Sequence, residues 1–383
     1  MASDVVIVGA GVLGCTVAHR LRREGARVTV LERSVPGAEA STAAGGILGP
    51  SYEAADGGPA LRLGLESREL HLRLAEELRA EHGVDVGFRR CGVLVAAFGR
   101  DEADDLARRE RTLRAAGVAV ERVDGDEARR LEPSLSPEVT TALVVPEDAQ
   151  VEPPPLLRGL ALAAERAGVR FRTGAVVRRV VVDAGGGARG KQGSGRARGV
   201  IVGDGERLDA DHVVVAAGSW TSLIPGLALP PETIVPVRGQ MLATVTRPPV
   251  FSRVVFGAGG YVVTRPDGRV LTGSTLERVG FRKEVTLGGL AQILAIAQRL
   301  APKLSEAPVL DHWASFRPGT PDELPLVGPA GPDGLWLASG HFRNGILLAP
   351  VTARVLADQL AGRDPGPDAD ALDPRRFAQD TPR

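Results

Sequence analysis

Val5 to Val8 form an unbroken apolar run behind Asp4, without the polar alternation of a half-exposed strand, so DVVIV reads as a strand buried on both faces. A glycine turn, helical apolar spacing to about Arg23 and a second apolar strand at Arg27 to Leu31 complete a βαβ unit. Leu61, Leu65, Leu74 and Leu78 recur at helical spacing among charges, which predicts an amphipathic helix over Pro59 to His82. Asp101 to Ala116 is a second, more polar helix, Phe88 to Phe98 a strand, and Pro155 to Ala167 a helix ended by Gly168. From Phe171 to Gly218 the pattern is a β-meander of FRTGAVVRRVVVD, ARGVIVG and DHVVVAAG. Its first joint, AGGGARGKQGSGR, is low in complexity and reads as a mobile hairpin tip with no assigned function. Strands follow at Gln240 to Val245, Val254 to Phe256 and Tyr261 to Ser274, the last folded at Pro266-Asp267-Gly268. A helix over Leu287 to Leu300 precedes a closing strand (Leu335 to Ser339), loop (Gly340 to Asn344) and helix to about Leu360.

Parallel βα elements at both ends with antiparallel strands between them give an α/β chain of two intertwined domains, α+β in overall composition. The expected boundaries are 1–85, 146–225 and 310–365 for a discontinuous Rossmann-like nucleotide domain carrying the meander. Segments 86–145 and 226–309 form an inserted antiparallel-sheet domain that binds substrate, and 366–383 is a C-terminal tail.

Composition narrows the function by exclusion. Acidic and basic residues balance at 47 each over 383 residues, which gives no electrostatic reason to expect nucleic acid or an anionic membrane as partner. Cys15 and Cys91, without CxxC or a His/Cys cluster, argue against a disulfide framework or a metal site and fit a reducing cytoplasm. The first apolar run is read as fold rather than leader: Asp4 precedes it, no A-x-A site follows, and cleavage at Cys15 would destroy the nucleotide fingerprint.

That fingerprint is Gly9-Ala10-Gly11-Val12-Leu13-Gly14, a GxGxxG between strand and helix, with Glu32 at the end of the next strand. Gly9 permits the tight turn, Gly11 leaves room for a pyrophosphate at the helix N-terminus, and Gly14 lets helix and strand pack closely. Glu32 would accept hydrogen bonds from a ribose and repel a 2′-phosphate. These features do not separate NAD from FAD. Two small-residue segments favour the larger planar ring: AEASTAAGGILGP (Ala38 to Pro50), and DADHVVVAAGSW, which ends at Ala217, Gly218 and Trp220. In GHFRNGILLAP an unpaired Arg343 beside an apolar helix start either reaches water or meets an anion. Pro350, lacking an N–H, is expected in that helix's first turn, placing the start near Gly345 or Ile346, where free N–H groups would stabilise an anion.

Together VVIVGAGVLG with LER, STAAGGILGP, HWASFRPGTPDELPLVGP and GHFRNGILLAP resemble the FAD-dependent D-amino-acid oxidase family, and within it the glycine oxidases of the thiamin thiazole pathway, from about Asp4 to Leu360. The resemblance implies a non-covalent FAD held by the fingerprint, Glu32 and Arg33, by Ser41, Thr42, Ala43, Gly45, Gly46, Ile47 and Leu48, and by the backbone of Val177. Gly340, His341, Phe342, Arg343, Asn344, Gly345 and Ile346 complete that set. It implies a substrate carboxylate on Arg317, with Arg343 and Tyr261 assisting and Leu276 near Tyr261 across the hairpin; the family carries Met at the Leu276 position and bulkier residues at Gly259-Gly260.

The implied chemistry is hydride transfer from a small amino acid to flavin, with O2 as acceptor, hydrogen peroxide as product, no protein acid or base, and no metal. Implied partners are thiazole synthase, receiving the imine in a transient hand-off, and further copies of the chain in a homo-oligomer. Sarcosine oxidases, which tether flavin through a late cysteine, fit less well because no cysteine lies beyond residue 91. A D-amino-acid dehydrogenase using another acceptor, an NAD-dependent dehydrogenase, a non-catalytic flavoprotein subunit and a lipoprotein are the alternatives the sequence leaves open.

Overall fold

The computed structural model describes residues 3–54, 56–184, 195–227 and 229–377. The expected hairpin tip within AGGGARGKQGSGR and the last residues of the expected tail lie outside them. The described residues build a six-stranded sheet in the order Leu326–Pro329, Leu335–Ser339, His212–Val215, Asp4–Val8, Arg27–Leu31, Arg170–Arg172, parallel except at the first pair. Its central strands are apolar on both faces because helices Val12–Arg23, Pro153–Arg166 and Gly345–Leu360 pack in a common core with one side. On the other side the strands share a core with the three-stranded sheet Glu206–Asp209, Gly195–Val202, Val177–Ala184.

The second large sheet has eight strands: Val309–Gly319, Val235–Val245, Arg269–Gly273, Gly260–Thr264, Val254–Gly257, Val93–Ala97, Thr141–Val145, Glu121–Asp124. Helix Leu287–Leu300 buries Ile293, Ile296 and Leu300 on one of its faces.

Three expectations are corrected by this topology. The segment DHVVV does not continue the meander; His212–Val215 pairs in parallel with Asp4–Val8, and Val213, Val214 and Val215 are all fully buried, as a central strand requires. The third meander strand is the short, polar Glu206–Asp209, which carries no apolar signal. The strand Val309–Gly319, which the expected boundaries put in the nucleotide domain from residue 310 on, is instead the edge of the eight-stranded sheet, paired from Val235↔Gly319 through Thr244↔Val309. Beyond residue 365 the chain is not simply a tail: Ala369 and Leu372 are buried against the six-stranded sheet's side of the molecule.

Candidate active site

An elongated cavity starts at the carboxyl ends of the parallel strands, at Val8, Leu31, Ala216 and Ser339, and reaches the face of the eight-stranded sheet at Gly239, Met241, Tyr261, Ser274 and Arg317. Ligands collect at this end of open α/β sheets because loops and helix N-termini converge there.

At the sheet end, close backbone approach explains the glycines. A Cβ on Gly9 would stand 2.6 Å from the Ala216 carbonyl oxygen, and one on Gly14 would stand 1.9 Å from the Gly9 carbonyl oxygen. Gly14 therefore packs the helix on its strand and does not line the cavity. Ser41 Oγ accepts from the Val12 N–H at 2.9 Å, while the N–H groups of Leu13 and Gly14 have no acceptor among the described residues. The Glu32 carboxylate accepts from the N–H groups of Ala10 and Ser34, at 2.9 Å each, so it ties the glycine turn to the end of its own strand while facing the cavity. Arg33 lies over the Trp220 ring, 3.9 Å from its centroid.

Midway along, three carbonyls of the loop Ala43 to Gly46 are taken by donors from the surrounding protein. Trp313 Nε1 donates to Ala43 O at 3.0 Å, Arg265 Nη2 to Gly45 O at 2.8 Å, and the Val151 N–H to Gly46 O at 2.8 Å. The N–H groups of Ala44, Gly45 and Gly46 have no acceptor among the described residues. Arg265 is itself buried without a carboxylate partner among the described residues; its second contact is the Gln150 side-chain oxygen, and burial pulls its pKa down to about 10. Gly46 sits at φ +73, where its absent Cβ would meet Val151 O at 2.0 Å.

The far end is built around Arg317. The guanidinium donates to Ser274 Oγ and, at 3.1 Å, to Thr275 O, but to no carboxylate among the described residues. Burial lowers its pKa, so the site holds a cation at a cost that an incoming anion would offset. Gly239, two residues beyond Arg317's partner Val237, makes the space: a Cβ there would stand 2.1 Å from Arg317 Nη1. Tyr261 Oη donates to Met241 Sδ at 3.2 Å, and the Tyr261 ring lies against Gly45, whose Cβ would be 3.2 Å from Cε2.

Arg343 does meet an anion, but one supplied by the protein. Its Nε lies 2.9 Å from Glu53 Oε2, and Nη2 donates to Glu53 Oε1 at 3.1 Å, a two-pronged pair on the cavity wall. Burial works against the charge, yet the Glu53 carboxylate raises the Arg343 pKa above its ordinary value. Nearby, Phe342 occupies φ +45, a conformation costing a non-glycine residue roughly 1–2 kcal/mol, and its N–H donates to Pro318 O at 2.9 Å. That bond ties the HFRNG loop to the strand carrying Arg317. His341 is buried, its Nε2 paired with Thr352 Oγ1 at 2.8 Å, and burial pushes its pKa down to about 3. It is neutral at working pH.

The helix after this loop spans Gly345–Leu360, and the Gly345 and Ile346 N–H groups at its start face the cavity without acceptors among the described residues. Pro350 is deeper in the helix than its first turn. Ile346 O, four residues before the missing N–H, instead pairs with His71 Nε2 at 2.8 Å.

Of the sequence-predicted set, Gly9, Gly11, Val12, Leu13, Glu32, Arg33, Ser41, Ala43, Gly45, Gly46, Ile47, Val177, Ala217, Gly218, Trp220, His341, Phe342, Asn344 and Ile346 line the cavity. So do Gly345, Tyr261, Arg317 and Arg343. Thr42 does not; its hydroxyl donates to Gly37 O at 2.7 Å. Leu48 is fully buried in the core, Gly340 is a φ +76 turn against Thr320, and Leu276 is 51% exposed outside the cavity. Tyr261 pairs with Gly273, so across that bare position the neighbour it receives is Met241, two strands away, rather than Leu276. Sequence reasoning missed Glu53, Met241, Gly239, Ser274 and Arg265. Only Glu53 had a signal, the anion that Arg343 demanded.

A family model described as FAD dependent oxidoreductase matches residues 4–359. The glycine oxidase of Pseudomonas aeruginosa is 35% identical over 383 residues, 99% of this chain and 99% of that protein. The bifunctional protein ThiO/ThiG of Synechocystis sp. is 34% identical over 99% of this chain, which spans only 55% of that longer protein. The crystal structure of glycine oxidase from Geobacillus kaustophilus matches with a TM-score of 0.88 at 32% identity, covering 97% of this chain and 98% of that one.

Proposed function

Because the chain belongs to the family of FAD-dependent oxidoreductases, we propose that it oxidises glycine, and small relatives such as sarcosine or D-alanine, at the carbon bearing the nitrogen. The overall reaction is glycine plus O2 plus water giving glyoxylate, ammonia and hydrogen peroxide, through the imine. The observation that carries this reading is Arg317, a cation enclosed at the far end of the cavity with no carboxylate partner among the described residues.

The cavity fits FAD on its own geometry. The N–H of Leu13 at a helix start, without an acceptor among the described residues and with Gly11 bare beside it, suits a pyrophosphate, and Glu32 suits a ribose. The N–H groups of Ala44, Gly45 and Gly46 offer donors to a planar ring, and those of Gly345 and Ile346 offer the positive end of a helix dipole. When bound, the flavin supplies the two-electron acceptor.

What the chain contributes is orientation. Arg317 fixes the carboxylate, Tyr261 bounds the space beside it, and Gly45 lets the ring and the loop approach closely. His341, the histidine lining the cavity among the described residues, is kept neutral by burial and has its Nε2 on Thr352. Supply of the imine to a thiazole synthase is part of this proposal, supported by relatives in which a chain of this length is one portion of a bifunctional protein. No helix among the described residues is long and apolar enough to cross a membrane.

The test is anaerobic. The purified yellow protein is mixed separately with glycine, sarcosine, D-alanine and D-proline, and the flavin absorbance is followed. Bleaching by glycine supports the proposal; a flavin untouched by all four overturns it.

A further inference from the structure

Arg317 and Arg343 both reach the same cavity, yet the structure treats them differently. Arg317 is left without a carboxylate, while Arg343 is occupied by both oxygens of Glu53. The segment that ends in Glu53 is anchored by the two residues before it. Behind it, Ser51 Oγ donates to the fully buried Asp148, which also takes Arg68 Nη1 at 2.9 Å. Next to it, the Tyr52 ring stacks on Phe256 at 3.6 Å between centroids, and Arg109 Nη1 donates to Tyr52 O at 3.1 Å. The short helix Pro50–Glu53 is therefore fixed so that its last carboxylate faces Arg343.

We propose that the Glu53–Arg343 pair is a specificity device that limits the site to substrates with one anionic group. It rests on the reading of Arg317 as the carboxylate receptor. A ligand with one carboxylate is satisfied by Arg317 alone. A second carboxylate on the same ligand meets the negative side of Glu53, because the only other guanidinium lining the far end among the described residues is already neutralised. Removing the Glu53 charge converts Arg343 from a masked group into a second receptor, since a guanidinium binds a carboxylate with two parallel hydrogen bonds. The pair thus acts by exclusion: it provides no attraction for the favoured substrate and removes the attraction for the disfavoured one.

The experiment uses the flavin-loaded protein and ligands that cannot be oxidised at a C–N bond. Acetate carries one carboxylate, malonate and succinate two; dissociation constants come from the shift each causes in the flavin absorption spectrum. In wild type, acetate is expected to bind and the dicarboxylates to bind at least about tenfold more weakly than in Glu53→Gln, with acetate affinity changing less than about threefold between the two. In Glu53→Gln/Arg343→Gln the gain for malonate and succinate disappears. Glu53→Ala frees the same guanidinium and replaces Glu53→Gln if that variant loses its flavin. If acetate binds wild type and variant alike but neither dicarboxylate tightens in the variant, the proposal is overturned while the Arg317 reading stands. If acetate fails to bind wild type at all, the Arg317 reading falls and takes this proposal with it.

Discussion

Gly239→Ala is the sharpest perturbation of the carboxylate receptor that leaves Arg317 itself intact. The added Cβ would lie 2.1 Å from Arg317 Nη1 and 2.5 Å from Cζ. Contact distances begin near about 3.2–3.5 Å, so the guanidinium must retreat by roughly 1 Å. The backbone has no reason to move, because Gly239 lies within a regular strand, paired with Ser315, and alanine adopts extended geometry freely. A retreat of that size breaks the guanidinium's bonds to Ser274 Oγ and Thr275 O and displaces the bound carboxylate from its position against the flavin. A misplacement of about 1 Å costs on the order of 100-fold in rate, equivalent to roughly 2.7 kcal/mol. The assay is steady-state peroxide formation with glycine, alongside flavin content by absorbance. The expected result is full flavin content with kcat/KM down by about two orders of magnitude. A variant with kcat/KM within threefold of wild type refutes the geometric argument.

Other sites give equally definite outcomes. Arg265→Met strips the donors from Gly45 O and the Gln150 side-chain oxygen; each buried acceptor left unpaired costs about 1–3 kcal/mol, so Tm should fall by roughly 2–8 °C and FAD should dissociate faster. An unchanged Tm and FAD off-rate would remove Arg265 from its role of holding the flavin loop. Burial raises the Asp148 pKa to about 6, against the Ser51 and Arg68 contacts that lower it. The folded state therefore holds this proton more tightly than the unfolded chain does. The associated stability is fully present below about pH 4 and is lost as pH rises through about 6, some 3 kcal/mol in all. Asp148→Asn mimics the protonated form, so wild type should lose stability relative to the variant between pH 4.5 and 7 in urea unfolding; a pH-independent difference contradicts the assignment.

The βαβ unit, the helices and the Pro-Asp-Gly hairpin were legible because each is specified by local periodicity or turn chemistry. DHVVV was misplaced since an apolar strand declares its burial but not its neighbours, and Val213 finds Val6 only through a long-range pairing. The polar Glu206–Asp209 strand has no period to read. At the site, the fingerprint and the small-residue loop were found from residue type and spacing, and Arg317 through the family resemblance. Glu53 was not, because its partner Arg343 is 290 residues away and the YEA segment has no pattern of its own. Leu276 failed through register: the hairpin sets Tyr261 opposite Gly273, where the strand ends, and residue 276 lies beyond it toward the Arg238–Glu277 bridge. Gly239 was invisible for a different reason, since what matters is the side chain it lacks opposite a residue on the neighbouring strand.

The affinity of flavin-loaded Arg317→Ala for acetate and glycine tests directly whether Arg317 receives the substrate carboxylate. A charge-assisted bond worth about 1.5–3 kcal/mol predicts dissociation constants raised by roughly ten- to 150-fold, with the flavin still bound and its spectrum unaltered. Acetate and glycine binding to that variant with wild-type constants would contradict the central claim.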